Sequence, residues 1–213
     1  MHNGGGNVGK IDDKKKQKRD SLLGAAFSLF TSQGINDTSI SDIVKKANMA
    51  KGTFYLYFKD KFDIRDKLIT SKATQLFFHA AQEMKRTGMA DSESTTLEDA
   101  IIFIADSMIN DLNEDKRLLR FISKNLSWGV FHNLLVTSDE ENGYSFYDGY
   151  EIMLEKSGRR FRNPELMLYM IVELINSTCH NVILDQEPVT LAELKPELYN
   201  VIRDIIHRQE IAA

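Results

Sequence analysis

The sequence predicts an all-α protein: a small N-terminal three-helix unit holding a helix-turn-helix, then a larger helical unit, about nine helices in all. Three observations predict it. Apolar residues recur at helical spacing along most of the chain. Helix starts and stops carry cap signatures, Ser or Thr before and Gly after. Only three prolines are present, so little interrupts long helices. With 42% apolar and 27% charged residues the chain can bury a sizeable core.

Residues 1–15 are expected to form a flexible basic tail, opening on MHNGGGNVGK, which has no apolar stretch of the kind a signal peptide needs. Lys10, Lys14, Lys15, Lys16, Lys18 and Arg19 crowd the approach to the first helix. They form a solvated arm, or one or two of them reach along a nucleic-acid backbone or into its minor groove. The first helix runs to about Ser32, with Leu22, Leu23, Ala26, Phe27 and Phe30 inward and Gly34 as its C-terminal cap.

From Thr38 to Lys61 the chain reads as two short helices joined by a tight turn. Ser39 and Asp42 form a capping-box-like pair, and Ile40, Ile43, Val44 and Ala47 mark the inner face. Asn48 suits the left-handed conformation of a helix end. The second short helix carries Ala50, Lys51, Gly52, Thr53, Tyr55, Leu56 and Tyr57, with Phe54 and Phe58 turned inward. That is helix-turn-helix geometry with a surface suited to nucleic acid. Lys51 supplies charge, Gly52 lets a backbone approach something bulky, and Thr53 and the hydroxyls of Tyr55 and Tyr57 suit phosphate oxygens. Lys61 opens the next helix beside its cap Asp60, against the helix dipole, which suits an external phosphate bound there.

The run AAFSLFTSQGINDTSISDIVKKANMAKGTFYLYFKDK, within residues 16–69, closely resembles the DNA-binding domain of the TetR family of bacterial transcriptional regulators. Asn48-Met49 stands where Gly-Val is usual, Lys59 where Pro is common, and Phe62 where an acid is usual. The resemblance implies a DNA-binding domain over 16–62 and a ligand-binding and dimerisation domain over 63–213. It implies a repressor of a double-stranded operator and a homodimer built on two C-terminal helices, about 164–184 and 196–208. Base-facing positions are expected at Lys51, Thr53 and Leu56 with Ala50 close by, although Leu56 could be a bystander. Phosphate contacts are expected at Ser39, Ser41, Gly52, Tyr55, Tyr57 and Lys61.

The charge distribution agrees. Residues 1–72 carry a balance of +6 and residues 73–213 one of −10, within an overall −4. A basic N-terminal third on an acidic remainder is the footprint of a DNA reader carried by a domain that avoids DNA.

The remaining helices follow in order. One persists from Asp60 to about Arg86, roughly 40 Å and long enough to join two lobes. A polar loop covers 88–96, and Thr95 or Thr96 caps the helix LEDAIIFIADSMINDL. A helical stretch covers about Lys116–Leu135, a loop 138–143, and a further helix ends at Lys156 before Gly158. Asn163-Pro164 starts a helix to about Leu184 that is apolar nearly all round; Glu173, Asn176, His180 and Asn181 argue for burial among helices and against a membrane span. Thr190 and Glu193 open the last helix, striped by Leu198, Val201, Ile202, Ile205 and Ile206.

A small-molecule effector, apolar or aromatic, is expected in the larger unit. Candidate lining residues are Phe103, Met108, Phe121, Trp128, Phe131, Tyr147, Tyr150, Met153, Tyr169 and Met170, with His132, Asn176 and His180 as polar groups. The plainer alternative is that these are core. No cofactor or metal is expected: His79 and Glu83 are only two ligands, and the single Cys179 beside His180 points away from it on a helix. One cysteine also fits a reducing cytoplasm. A helical interaction adaptor ranks second to a DNA-binding regulator, and an enzyme third.

Overall fold

A computed structural model of the chain describes residues 6–136 and 145–211. The glycine run and the 138–143 loop expected from the sequence lie outside the described residues, wholly or in part. Ten α-helices are present among the described residues: α1 (Gly6–Ser32), α2 (Ile40–Lys46), α3 (Lys51–Tyr55), α4 (Lys61–Arg86), α5 (Leu97–Glu114), α6 (Lys116–Asn125), α7 (Trp128–Val136), α8 (Phe146–Ser157), α9 (Pro164–Asp185) and α10 (Leu191–Gln209). They group into two compact units, Met1–Leu68 and Ile69–Ala213, and α4 runs from the first into the second.

Three elements differ from expectation, one of them a single 3₁₀ turn, Met89–Asp91, within the expected polar loop over 88–96. The expected tail to residue 15 is helical from Gly6 onward. Its lysines, Lys10, Lys14 and Lys15, are good helix formers, and α1 can propagate back through them from a packed C-terminal half. The stretch expected as one helix over 116–135 is two. Leu126 leaves the helical conformation, and the Ser127 hydroxyl accepts from the Val130 N–H to start α7.

The first unit packs α1, α2 and α3 around Leu22, Ala26, Phe30, Ile43, Phe54, Phe58 and Ile64. Gly34, at φ 90°, closes α1, and the Thr38 hydroxyl donates back to the Gly34 carbonyl at 2.7 Å. Asp60 caps α4 by accepting from the N–H groups of Phe62 and Asp63 at 2.7 and 2.9 Å.

In the second unit α5, α6, α8, α9 and α10 contribute to one continuous core that includes Ile101, Ile109, Leu119, Tyr150, Met167, Ile171, Ile202 and Ile206. By length and composition α9 could cross a membrane, but Met167, Leu168, Ile171, Cys179, Val182 and Ile183 are buried in this core. Capping boxes at Ser145/Asp148 and Thr190/Glu193 start α8 and α10, and Asn163 with Pro164 starts α9. The stripe on α10 divides: Leu198, Ile202 and Ile206 are buried, while Val201 is 43% exposed.

Two polar clusters tie the C-terminal helix down. Arg159 donates to Glu98 at 2.7 Å and bidentately to Glu210 at 2.8 and 2.7 Å. Beside it the backbones of 160–162 and 209–211 pair in a short antiparallel contact. Between α5 and α10, Asp106 accepts from Tyr199 and from Lys195.

Candidate nucleic-acid interface and interior cavity

The interface is built on α2 and α3. Ser39 caps α2: its hydroxyl accepts from the Asp42 N–H at 3.1 Å and donates to the Asp42 carboxylate at 2.6 Å. The Asp42 carboxyl is held below its usual range by the Ser39 hydroxyl and then the Ser39 N–H. Asn48, at φ 53°, turns the chain, and three residues later α3 begins. Phe54 and Phe58, 0% and 2% exposed, anchor α3 from beneath with ring centroids 5.5 Å apart.

That anchoring sets the outer face. Ser41, Ala50, Lys51 and Gly52 are exposed, Tyr55 is 54% exposed and Leu56 80%, and Thr53 and Tyr57 are half-buried. A Cβ added at Gly52 would meet nothing within 4 Å, and the residue is helical. Nothing among the described residues therefore calls for glycine there. Leu56 likewise leaves most of its apolar side chain outside the core.

Two expected phosphate contacts have other work. The Lys61 ammonium donates to the carbonyls of Ile35, Asn36 and Thr38 at 2.9, 3.1 and 3.3 Å. It ties down the α1–α2 connection by bonding three carbonyls of the turn between the two helices. Its three donors are accounted for. Ser39 spends its hydroxyl hydrogen on Asp42. Neither is a free donor on the outer face. Sequence reasoning missed the Lys61 bonds because their partners lie more than twenty residues upstream.

The second unit holds an apolar cavity of about 130 Å³ that is partly open to its surroundings. Of the residues named as candidates for an effector pocket, Met108, Tyr150, Met153 and Asn176 lie in its wall. The rest of the wall is largely aliphatic, including Leu76, Ile101, Ile104, Ile109, Leu119 and Ile171, together with Phe77, Phe146 and Cys179. The other candidates lie elsewhere. Phe121 and Phe131 are buried and Phe103 half-buried without lining the cavity. Trp128 is 51% exposed and packs on His132 and Tyr169, while Tyr147 packs beside Tyr150. His180 bonds the Ser123 hydroxyl at 2.7 Å, and Met170 is half-buried outside the wall.

Polar atoms are few in the wall. The Tyr150 hydroxyl donates to the Pro164 carbonyl at 3.0 Å. Burial pushes the Cys179 thiol up to about 11, the opposite of an activated nucleophile. Gly149 sits where a Cβ would lie 2.7 Å from the Phe77 ring, so α8 approaches α4 closely only because that residue has no side chain.

Residues 22–68 match the family described as bacterial regulatory proteins, tetR family. An uncharacterised HTH-type transcriptional regulator, YvdT of Bacillus subtilis, is 30% identical over 160 residues, 75% of this chain and 73% of that protein. The fatty acid metabolism regulator protein of Bacillus subtilis is 32% identical over 77 residues, 36% of this chain and 40% of its own length. Among solved structures, a TetR-family regulator from Syntrophomonas wolfei aligns with a TM-score of 0.61 at 18% identity, covering 89% of this chain and 95% of that one. The regulator FadR from Bacillus subtilis in complex with stearoyl-CoA aligns at 0.54 and 20% identity, covering 85% and 96%. A helix-turn-helix with an exposed basic and aromatic face, on a helical second unit with that likeness, has one reading: the chain belongs to the TetR family of DNA-binding transcriptional regulators.

Proposed function

We propose that the protein is a cytoplasmic, homodimeric repressor that binds a near-palindromic operator and releases it when a small uncharged apolar molecule enters the second unit. The observation that carries the DNA-reading part is the outer face of α3: exposed Lys51 and Tyr55 beside a glycine with no intramolecular reason to be one. Lys51, Thr53 and Leu56 face the bases with Ala50 close by. Ser41, Gly52, Tyr55 and Tyr57 position phosphates. One five-residue helix reads too few base pairs for specificity, so a two-fold pair of them is required. Leu166 on α9 and Val201 on α10, 42% and 43% exposed, offer apolar surface for the pairing.

The effector class follows from the cavity. At about 130 Å³ it is comparable to a cavity of about 150 Å³ that holds benzene. Among the described residues its wall has no Lys, Arg or His. An acyl-CoA, as in the FadR complex, carries phosphates that would find no cation in this wall. A single-ring apolar molecule fits as the cavity stands. Filling it shifts the population of arrangements available to α4, which contributes Ala73, Leu76 and Phe77 to the wall and continues from the DNA-binding unit.

The test is fluorescence anisotropy of the purified protein on DNA flanking its own gene, and on duplexes selected from a random pool, across a salt series. Salt-sensitive, sequence-selective binding is expected, weakened by Lys51→Ala and Tyr55→Phe and relieved by toluene. If neither DNA source is bound selectively, the regulator reading is wrong; if toluene leaves binding untouched while occupying the cavity, the release mechanism is wrong.

A further inference from the structure

Among the basic residues before the domain, the helical form of α1 imposes an order that composition does not show. At about 100° per residue, Lys15, Lys18, Arg19 and Lys14 all fall within about 80° of the direction of Leu22. Leu22, Ala25 and Ala26 are the buried stripe of α1. Asp13, Gln17 and Asp20 fall on the opposite side, and Lys16 lies at the edge between. Over Asp13–Asp20 the arm therefore segregates its charge, and its cationic side continues the face that packs against the rest of the domain further on.

Lys14, Lys15 and Lys18 are exposed, and none has a hydrogen-bond or salt-bridge partner among the described residues. They stand at i, i+1 and i+4, so Lys18 repels both neighbours along one helix face, a local cost that no ion pair of theirs among the described residues offsets. A partner carrying regularly spaced negative charge would offset it.

We propose that this cationic helix face is a second DNA contact, laid along the phosphate backbone beside the site read by α3. The inference rests on the proposed function. The helical form decides how the contact is made. An α-helix with its side chains is about 10–12 Å across, and the minor groove of B-DNA is about 6 Å wide. The arm cannot enter that groove, as an extended arm could. It contributes phosphate contacts, hence affinity and salt dependence, and leaves sequence preference to α3.

The test compares the intact protein with the triple variants K14Q/K15Q/K18Q and K14R/K15R/K18R on a labelled random-sequence duplex and on a selected operator. The slope of log affinity against log salt is the readout. The Gln variant is expected to flatten it by about 0.9 for each phosphate no longer neutralised, on both duplexes alike. The Arg variant is expected to keep the slope, and equal thermal melting of all three forms excludes unfolding as the cause. If the Gln variant keeps the slope while the parent binds DNA, the arm is a solvated helix and the proposal falls, leaving the proposed function intact. If it instead loses preference for the operator over random DNA, the arm reads bases and the backbone assignment is wrong. A parent that binds neither duplex overturns the proposed function and the arm together.

Discussion

Gly52 and Gly149 are both glycines inside helices, and they owe their identity to opposite causes. At Gly52 a Cβ would meet open space. Gly52→Ala is therefore expected to stabilise the fold by about 0.5–1 kcal/mol, since glycine is the poorer helix former. Operator affinity should nevertheless drop, because the added methyl meets the DNA. Thermal unfolding and anisotropy on one preparation separate the two effects; a variant that binds as well as the parent removes Gly52 from the interface. At Gly149 the obstacle is internal, the Phe77 ring at 2.7 Å. Gly149→Ala should cost about 1–3 kcal/mol by overpacking, read as a lower denaturant midpoint. Lys51, Tyr55 and Gly52 were legible as surface residues from their spacing alone. Lys61 was not, because its role depends on three carbonyls brought near by the turn after α1.

Elements are held by caps and by a few polar ties between helices. The caps were readable because they are local: Ser39 with Asp42, Thr190 with Glu193 and Asn163 with Pro164 act within three or four residues. The tie between α5 and α10 was not, since Asp106 and Tyr199 lie 93 residues apart. Burial raises the Asp106 carboxyl, but its hydrogen bonds from Lys195 and Tyr199 outweigh that and hold it below the usual range. Burial and then the Asp106 carboxylate push the Tyr199 hydroxyl up. A raised tyrosine stabilises the fold in full below its unfolded value of about 10, and that contribution is lost as pH rises through the folded value. Tyr199→Phe should cost about 1–2 kcal/mol at neutral pH. The gap from the parent should narrow above pH of about 10. Denaturant melts across pH check it, and a gap that widens with pH refutes the tie.

For the whole molecule, pairing turns on the apolar surface that α10 leaves outside the core. The α10 stripe read as one apolar face in the sequence, and three of its members are spent on the chain's own core. Val201 is not, and stays 43% exposed. Val201→Glu places a charge on that surface without touching the core. Sedimentation should then show monomers, with operator affinity lower by at least about tenfold, 1.4 kcal/mol, because each half-site alone binds weakly. A variant that still sediments as a dimer moves the pairing surface elsewhere.

The sequence by itself determined what depends on near neighbours: the helices and most of their ends, the turn at Asn48, the inward Phe54 and Phe58, and the basic first third. Each rests on periodicity, capping or local charge, which act over a turn or two of helix. Tertiary structure alone decided which lysine stays free, which half of the α10 stripe is buried, and where the cavity lies. A void is a mismatch between side chains from several helices. Ile101, Leu119 and Ile171 follow the same pattern as any core residue, and only their packing shows that they leave space between them.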